Sequence, residues 1–157
     1  TMRFSVEALR AEKGAVMLLD MRKELPPIDL GRSRLSFVGP VEFVGQATNT
    51  GRRIVVMGSA KARALAFCDR CLEEFAMDLA TPISESYYRA DEPPAAPDED
   101  ERVYGDDDVI DMSSDIEQAF VLALPIRIVC RDDCRGLCPR CGHDLNRGEC
   151  SCSPCGD

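Results

Sequence analysis

The residues of this 157-residue chain that could do chemistry are its nine cysteines. Seven fall in the last 28 residues, as Cys130-x3-Cys134-x3-Cys138-x2-Cys141-x8-Cys150-x-Cys152-x2-Cys155, and two stand apart at mid-chain as Cys68-x2-Cys71. Two thiolates two residues apart can grip one soft metal ion from a single tight turn. Several such pairs beside a single histidine point to a thiolate zinc protein. Four thiolates around Zn2+ leave no open coordination position, so such a site staples the chain and performs no catalysis.

Cys138-Pro139-Arg140-Cys141-Gly142 reads as a metal knuckle: proline stiffens the approach, and Gly142 permits the close turn that aims backbone N–H groups at the sulfurs. Its partners downstream are either Cys150 with Cys152 or Cys152 with Cys155, and spacing alone favours the second pair. Cys68, Cys71, Cys130 and Cys134 then form another quartet, giving one or two structural Zn2+ sites. Each filled site contributes an apparent ~10–16 kcal/mol of binding free energy, enough to order the tail. An iron–sulfur cluster is the rival metal, but the tail lacks the ferredoxin C-x2-C-x2-C run. His143, the one histidine, is expected at the surface beside the knuckle. A single histidine rules out an HExxH site, and it leaves hydrolase triads poorly supported.

The elements that must position these thiols are mostly strands. Val41, Phe43, Gly45 and Ala47 share one face of a run that Asn49-Thr50-Gly51 ends, and a long strand is predicted over 52–67. Ala60, Ala62, Ala64 and Ala66 share a face within it, and alternation resumes after Cys71 with Phe75, Met77, Leu79 and Ile83. Cys68 and Cys71 should therefore sit at the tip of a hairpin. A short helix is predicted over 5–10 with Ser5 as its cap. A second is predicted over 114–124, opened by the capping box Ser114-Asp115-Ile116-Glu117 and stopped by Pro125. Residues 126–129 could add one more strand.

Net charge is −9, but it is concentrated. Residues 91–117 carry 12 acidic groups and one arginine, residues 1–90 carry 13 basic and 11 acidic groups, and the tail from 118 is neutral. The Pro- and acid-rich segment 91–108 reads as a mobile loop. The fold class expected is α+β: an antiparallel, barrel-like sheet with a short N-terminal helix, one capping helix and a cysteine-rich zinc-binding tail. The domain division expected is 1–129 for the β-rich body and 130–157 for the tail.

The order of motifs resembles the YceD family, the large ribosomal RNA subunit accumulation proteins of bacteria and plastids. The resemblance runs from about residue 3 to residue 152. It is carried most specifically by Cys68-Asp69-Arg70-Cys71-Leu72-Glu73-Glu74-Phe75 and by the stretch Cys134-Arg135-Gly136-Leu137-Cys138-Pro139-x-Cys141-Gly142-x-Asp144-Leu145-Asn146, with Cys150-Ser151-Cys152 beyond. It implies a role in accumulating large-subunit ribosomal RNA, with no catalytic residues to carry over. It also implies Cys150 and Cys152 as ligands in preference to Cys155. The metal ligands expected are thus Cys68, Cys71, Cys130, Cys134, Cys138, Cys141, Cys150 and Cys152.

The function expected is that of a non-enzymatic, cytoplasmic ribosome biogenesis factor. Its partners would be large-subunit RNA or a pre-ribosomal particle, with a basic ribosomal protein as a further partner for the acidic loop. Arg32, Arg34, Arg52, Arg53, Lys61 and Arg63 are the candidate phosphate contacts. No apolar run approaches the roughly 20 residues of a membrane span. Two other functions compete: a thiol–disulfide redox protein using Cys68-x2-Cys71, and a zinc-ribbon transcription adaptor. The first needs a strand-to-helix turn where the alternation gives strand-to-strand; the second leaves the long β body unexplained.

Overall fold

Alternation along the middle of the chain becomes one long antiparallel arm. The computed structural model describes residues 2–31 and 33–149. In chain order the elements are β1 (Arg3–Ser5), α1 (Glu7–Arg10), β2 (Val16–Lys23), β3 (Ile28–Asp29), β4 (Arg34–Phe37), β5 (Val41–Asn49), β6 (Ile54–Phe67), β7 (Glu74–Arg89), β8 (Arg102–Tyr104), β9 (Val109–Asp111) and α2 (Ser113–Ala123). β6 and β7 pair along their whole shared length, from Ile54 opposite Tyr87 to Phe67 opposite Glu74. At about 3.3 Å per residue this ribbon extends roughly 45 Å and carries Cys68 and Cys71 at one end.

On the other flank of β6, β5 covers Ile54 to Lys61 and β4 covers Ala64 and Leu65. β2 lies outside β5, and β8 adds to β7 in parallel. β1 and β9 form a separate two-stranded ribbon. The sheet is open, which corrects the barrel expectation. Among the described residues β2 pairs with β5 alone and β8 with β7 alone, so no strand closes the circle. Closure is unnecessary because α2 and the β1–β9 ribbon cover the inner face. Phe120 and Ile116 of α2, Ile110 of the ribbon and Met2 and Met112 at its ends are buried in one core with Phe43, Val56, Ala60 and Ala64. The ring of Phe120 lies 5.9 Å from that of Phe37.

Four local expectations are corrected by tertiary contacts. Ser5 ends β1 and Val6 takes the N-cap position of α1, although Ser5 Oγ still accepts the Glu7 N–H at 3.4 Å. The capping box does not form: α2 begins at Ser113, whose N–H is accepted by Asp111 Oδ1 at 2.9 Å, while Asp115 turns into the core. Residues 126–129 form no strand. Instead the Asp69 N–H donates to the Ile128 carbonyl at 2.7 Å, and Asp69 Oδ2 accepts the Ile128 N–H at 2.8 Å. Segment 91–108 is not loop throughout: it contains β8, and Arg10, Arg53 and Arg89 bind its Asp91, Glu92, Glu101 and Asp108.

Candidate metal centre

The β6–β7 turn and the stretch after α2 meet at the tip of the arm. Cys68 and Cys71 occupy the turn; Cys130 and Cys134 arrive 59 and more residues later. All four sulfurs lie within 4.8 Å of one another, and three of the four residues are buried. Four sulfurs about 2.3 Å from one tetrahedral ion stand roughly 3.8 Å apart. Cys68 Sγ lies 3.6 Å from Cys134 Sγ, and Cys71 Sγ lies 3.8 Å from Cys130 Sγ. All four thiols are free, and these separations are far above the ~2 Å of a disulfide. The same closeness favours one ion over a multi-iron cluster, whose sulfurs bind different irons and stand farther apart. The donor set fits a single soft metal ion.

The turn itself prepares the sulfurs. Cys68 Sγ accepts N–H groups from Arg70 at 3.4 Å, Cys71 at 3.5 Å and Cys130 at 3.3 Å. Leu72, just past the second cysteine, takes a left-handed conformation, φ 64°, which L residues adopt at a cost, and its N–H donates to the Cys68 carbonyl at 2.9 Å. Burial opposes ionisation of Cys68, but the N–H groups of Cys71, Cys130 and Arg70 outweigh it and bring the thiol down to about 6. Cys130 goes the other way: burial, then the neighbouring thiols of Cys134, Cys71 and Cys68, push it up to about 12. Burial likewise raises Cys71. The Cys68 thiolate is thus accommodated readily while Cys71 and Cys130 resist ionisation, so ionising them too calls for a cation among the sulfurs.

The tail is laid against this tip by further bonds. Arg70 Nη1 donates to the Cys134 carbonyl at 2.9 Å. Gly136, φ 78°, packs against the Arg70 backbone, where a Cβ would lie 3.1 Å from the Arg70 carbonyl oxygen. Arg147 reaches Glu73 beside the turn.

The family described as large ribosomal RNA subunit accumulation protein YceD matches residues 56–155, which is more than half of the chain and takes in both β6–β7 and the tail. The chain belongs to the YceD family. It is also similar to uncharacterized proteins of Mycobacterium bovis and Mycobacterium tuberculosis, each 29% identical over 144 residues covering 91% of this chain. A Mycobacterium leprae protein is 26% identical over 148 residues, 90% of this chain and 66% of its own. This YceD chain spans 58% of the length of the M. bovis and M. tuberculosis relatives. No solved structure matches it.

The second quartet expected from the sequence is only half in view. Cys138 and Cys141 sit in the turn predicted for them: the Gly142 N–H donates to the Cys138 carbonyl at 2.9 Å, Gly142 has φ 77°, and the Arg140 N–H donates to Cys138 Sγ at 3.4 Å. Cys141 is a free, exposed thiol. Cys150, Cys152 and Cys155 lie outside the described residues. His143 is exposed, and its carbonyl accepts the Cys138 N–H at 2.8 Å.

The candidate phosphate contacts are not brought together. Arg52 and Arg53 lie in the turn before β6, Lys61 and Arg63 along it and Arg34 on β4, so they are not clustered; Arg32 lies outside the described residues. Arg53 Nε is bonded to both Glu101 oxygens at 3.0 and 2.8 Å, and Arg63 Nη1 to Asp78 at 2.9 Å. Arg34, Arg52 and Lys61 are exposed. The acidic segment is similarly occupied: Arg10 and Arg89 bind Asp108, Arg10 binds Glu92, and Arg89 binds Asp91.

Sequence reasoning missed one buried polar group. The Tyr87 hydroxyl donates to Asp115 Oδ2 at 2.6 Å, and Arg102 Nε lies 2.9 Å from Asp115 Oδ1. This ties α2, β7 and β8 together. Burial and the bond to Asp115 raise the Tyr87 pKa, so the hydroxyl stays a donor. The one available signal was the acidic residue on the apolar side of α2, between Ser114 and Ile116.

Proposed function

We propose that this YceD-family chain is a non-enzymatic factor that promotes accumulation of large-subunit ribosomal RNA, built around a structural Zn2+ bound by Cys68, Cys71, Cys130 and Cys134. The observation that carries the metal part is the convergence of four free sulfurs from two remote stretches at single-ion spacing. The family description carries the ribosomal part. Zinc suits an all-thiolate set that leaves no position for substrate. Such a centre fixes the end of the arm as a rigid surface and does no bond chemistry. Cys138 and Cys141, with Cys150 and Cys152, are the candidates for a second Zn2+.

The partner is a pre-ribosomal particle in the cytoplasm. Electrostatics favours contact through a basic ribosomal protein over a grip on RNA phosphates. Net charge is −9, and Arg10, Arg53, Arg63, Arg89 and Arg102 are all engaged by carboxylates of the same chain. Glu99, Asp100 and Asp106 of the acidic segment are exposed. No helix among the described residues is long and apolar enough to cross a membrane.

The test is co-sedimentation of tagged protein with large-subunit precursors on a gradient, followed by identification of its crosslinked neighbours. Co-migration with crosslinks to a basic ribosomal protein supports the proposal. Absence from every precursor fraction contradicts it. A steep salt-dependent affinity for bare large-subunit RNA would shift the contact to phosphate.

A further inference from the structure

Asn146 follows the Cys138–Cys141 turn, and its side chain reaches back to a sulfur of the four-cysteine centre. It lies in a one-turn 3-10 helix, Leu145–Arg147, capped by Asp144, whose Oδ1 accepts the Asn146 N–H at 2.9 Å. Its amide group faces back toward residues 131–135. Oδ1 accepts the Arg135 N–H and Arg131 Nη2, each at 2.8 Å, while Nδ2 donates to Cys134 Sγ at 3.3 Å. The helix is itself set by the knuckle. The Cys138 N–H donates to the His143 carbonyl, Leu137 bridges Asp144, and the Leu145 N–H donates to the Gly136 carbonyl at 2.9 Å. The turn carrying Cys138 and Cys141 therefore places the residue that touches a sulfur of the other centre.

We propose that Asn146 is a positioning residue of the four-cysteine metal centre: it orients Cys134 through its N–H···S bond and couples that centre to the Cys138–Cys141 turn. The inference rests on the metal reading of Cys68, Cys71, Cys130 and Cys134. Cys68 takes its N–H donors from the backbone of its own turn and of Cys130, whereas Cys134 takes one from a side chain twelve residues downstream. A neutral amide suits this place. It stabilises the thiolate without adding negative charge beside four sulfurs, and its oxygen holds the loop that delivers Cys134. Outer-shell donors of this kind tune affinity by 10–100-fold when removed.

The test uses the full chain, reduced, with zinc affinity from chelator competition and the thiolate-to-metal charge-transfer band of the Co2+-loaded protein. Asn146→Asp keeps an acceptor for Arg131 and Arg135 but loses the donor to sulfur; Asn146→Ala loses both. Both variants are expected to bind zinc roughly 10–100-fold more weakly at the site that Cys68→Ser abolishes. Both should also move the charge-transfer band to lower energy, because a sulfur without its N–H donor gives up charge more easily. Cys138→Ser is expected to weaken the same site. Parent-like affinity in either Asn146 variant overturns the proposal. So does a loss of affinity with an unmoved band, which would assign Asn146 to loop order alone. Parent affinity in Cys138→Ser overturns the coupling. A parent chain with no Cys68-dependent metal overturns the metal reading itself and this inference with it.

Discussion

Cys68 Sγ and Cys134 Sγ stand 3.6 Å apart although 66 residues separate them in the chain. One long strand, β7, the acidic segment with its two short strands, and a helix intervene, and together they return the chain to the same point. The pairing makes the end of the β6–β7 arm and the start of the tail one unit. Each sulfur of Cys68-x2-Cys71 also meets a sulfur of the tail, Cys134 at 3.6 Å and Cys130 at 3.8 Å, so the pair is part of a four-sulfur group rather than a separate dithiol.

Metal loading should release protons. With no cation, burial and neighbouring thiols hold Cys71 above its ordinary value and Cys130 at about 12, so both are protonated near pH 7. Binding requires the thiolates, so at least about two protons leave per ion, and affinity rises with pH. Calorimetric titration with Zn2+ in buffers of different ionisation enthalpy measures the number. A value near zero would contradict the coupling.

The Arg53–Glu101 contact should make the acidic segment acid-labile. Bonding to Arg53, then the Asp98 N–H and Ser86, brings the Glu101 carboxyl down to about 2 from an ordinary 4.5. A depressed carboxylate stabilises above its unfolded value and loses that contribution as pH falls toward its folded one. Pepsin cleavage within 91–108 should therefore rise between about pH 4.5 and pH 2 in the parent. Glu101→Gln should be cleaved readily across that whole range. Equal cleavage of parent and variant at pH 4.5 would count against the pin.

Tyr87→Phe should destabilise the fold by about 1–3 kcal/mol, because it leaves a buried Asp115 oxygen short of its donor. Tyr87 and Asp115 are 2% and 6% exposed, so water does not readily replace the hydroxyl. Urea denaturation should show a lower midpoint with an unchanged slope. An unchanged midpoint would mean that Arg102 suffices alone.

Gly136→Ala tests how the tail is laid on the tip. The added Cβ meets the Arg70 carbonyl oxygen at 3.1 Å from a backbone at φ 78°. A cost of about 1 kcal/mol or more is expected, together with weaker metal retention against a chelator. Parent-like retention would show that the tail docks without that close approach.

Much of the arm was legible from alternation alone. Val41, Phe43, Ala47, Ala60, Ala64, Ala66, Leu79 and Ile83 are all buried, as period two requires, and the cysteine pair sits at the hairpin tip. What escaped depends on partners far away in sequence. β8 is three residues inside an acidic stretch and becomes a strand only because Tyr87 to Arg89 offer an edge. Asp115 looked like part of a cap because nothing local reveals Tyr87 and Arg102. Residues 126–129 had strand-like composition but bond to Asp69 in the turn. The quartet of Cys68, Cys71, Cys130 and Cys134 followed from counting what the knuckle left over, whereas Asn146 gave no sign until its amide was seen against Cys134.

The most direct measurement is zinc stoichiometry by native mass spectrometry of the reduced full chain beside its Cys68→Ser and Cys134→Ser variants. The parent should carry zinc, and each variant should carry one ion fewer. A folded parent free of metal, or variants with the parent's content, would contradict a centre shared between the hairpin tip and the tail.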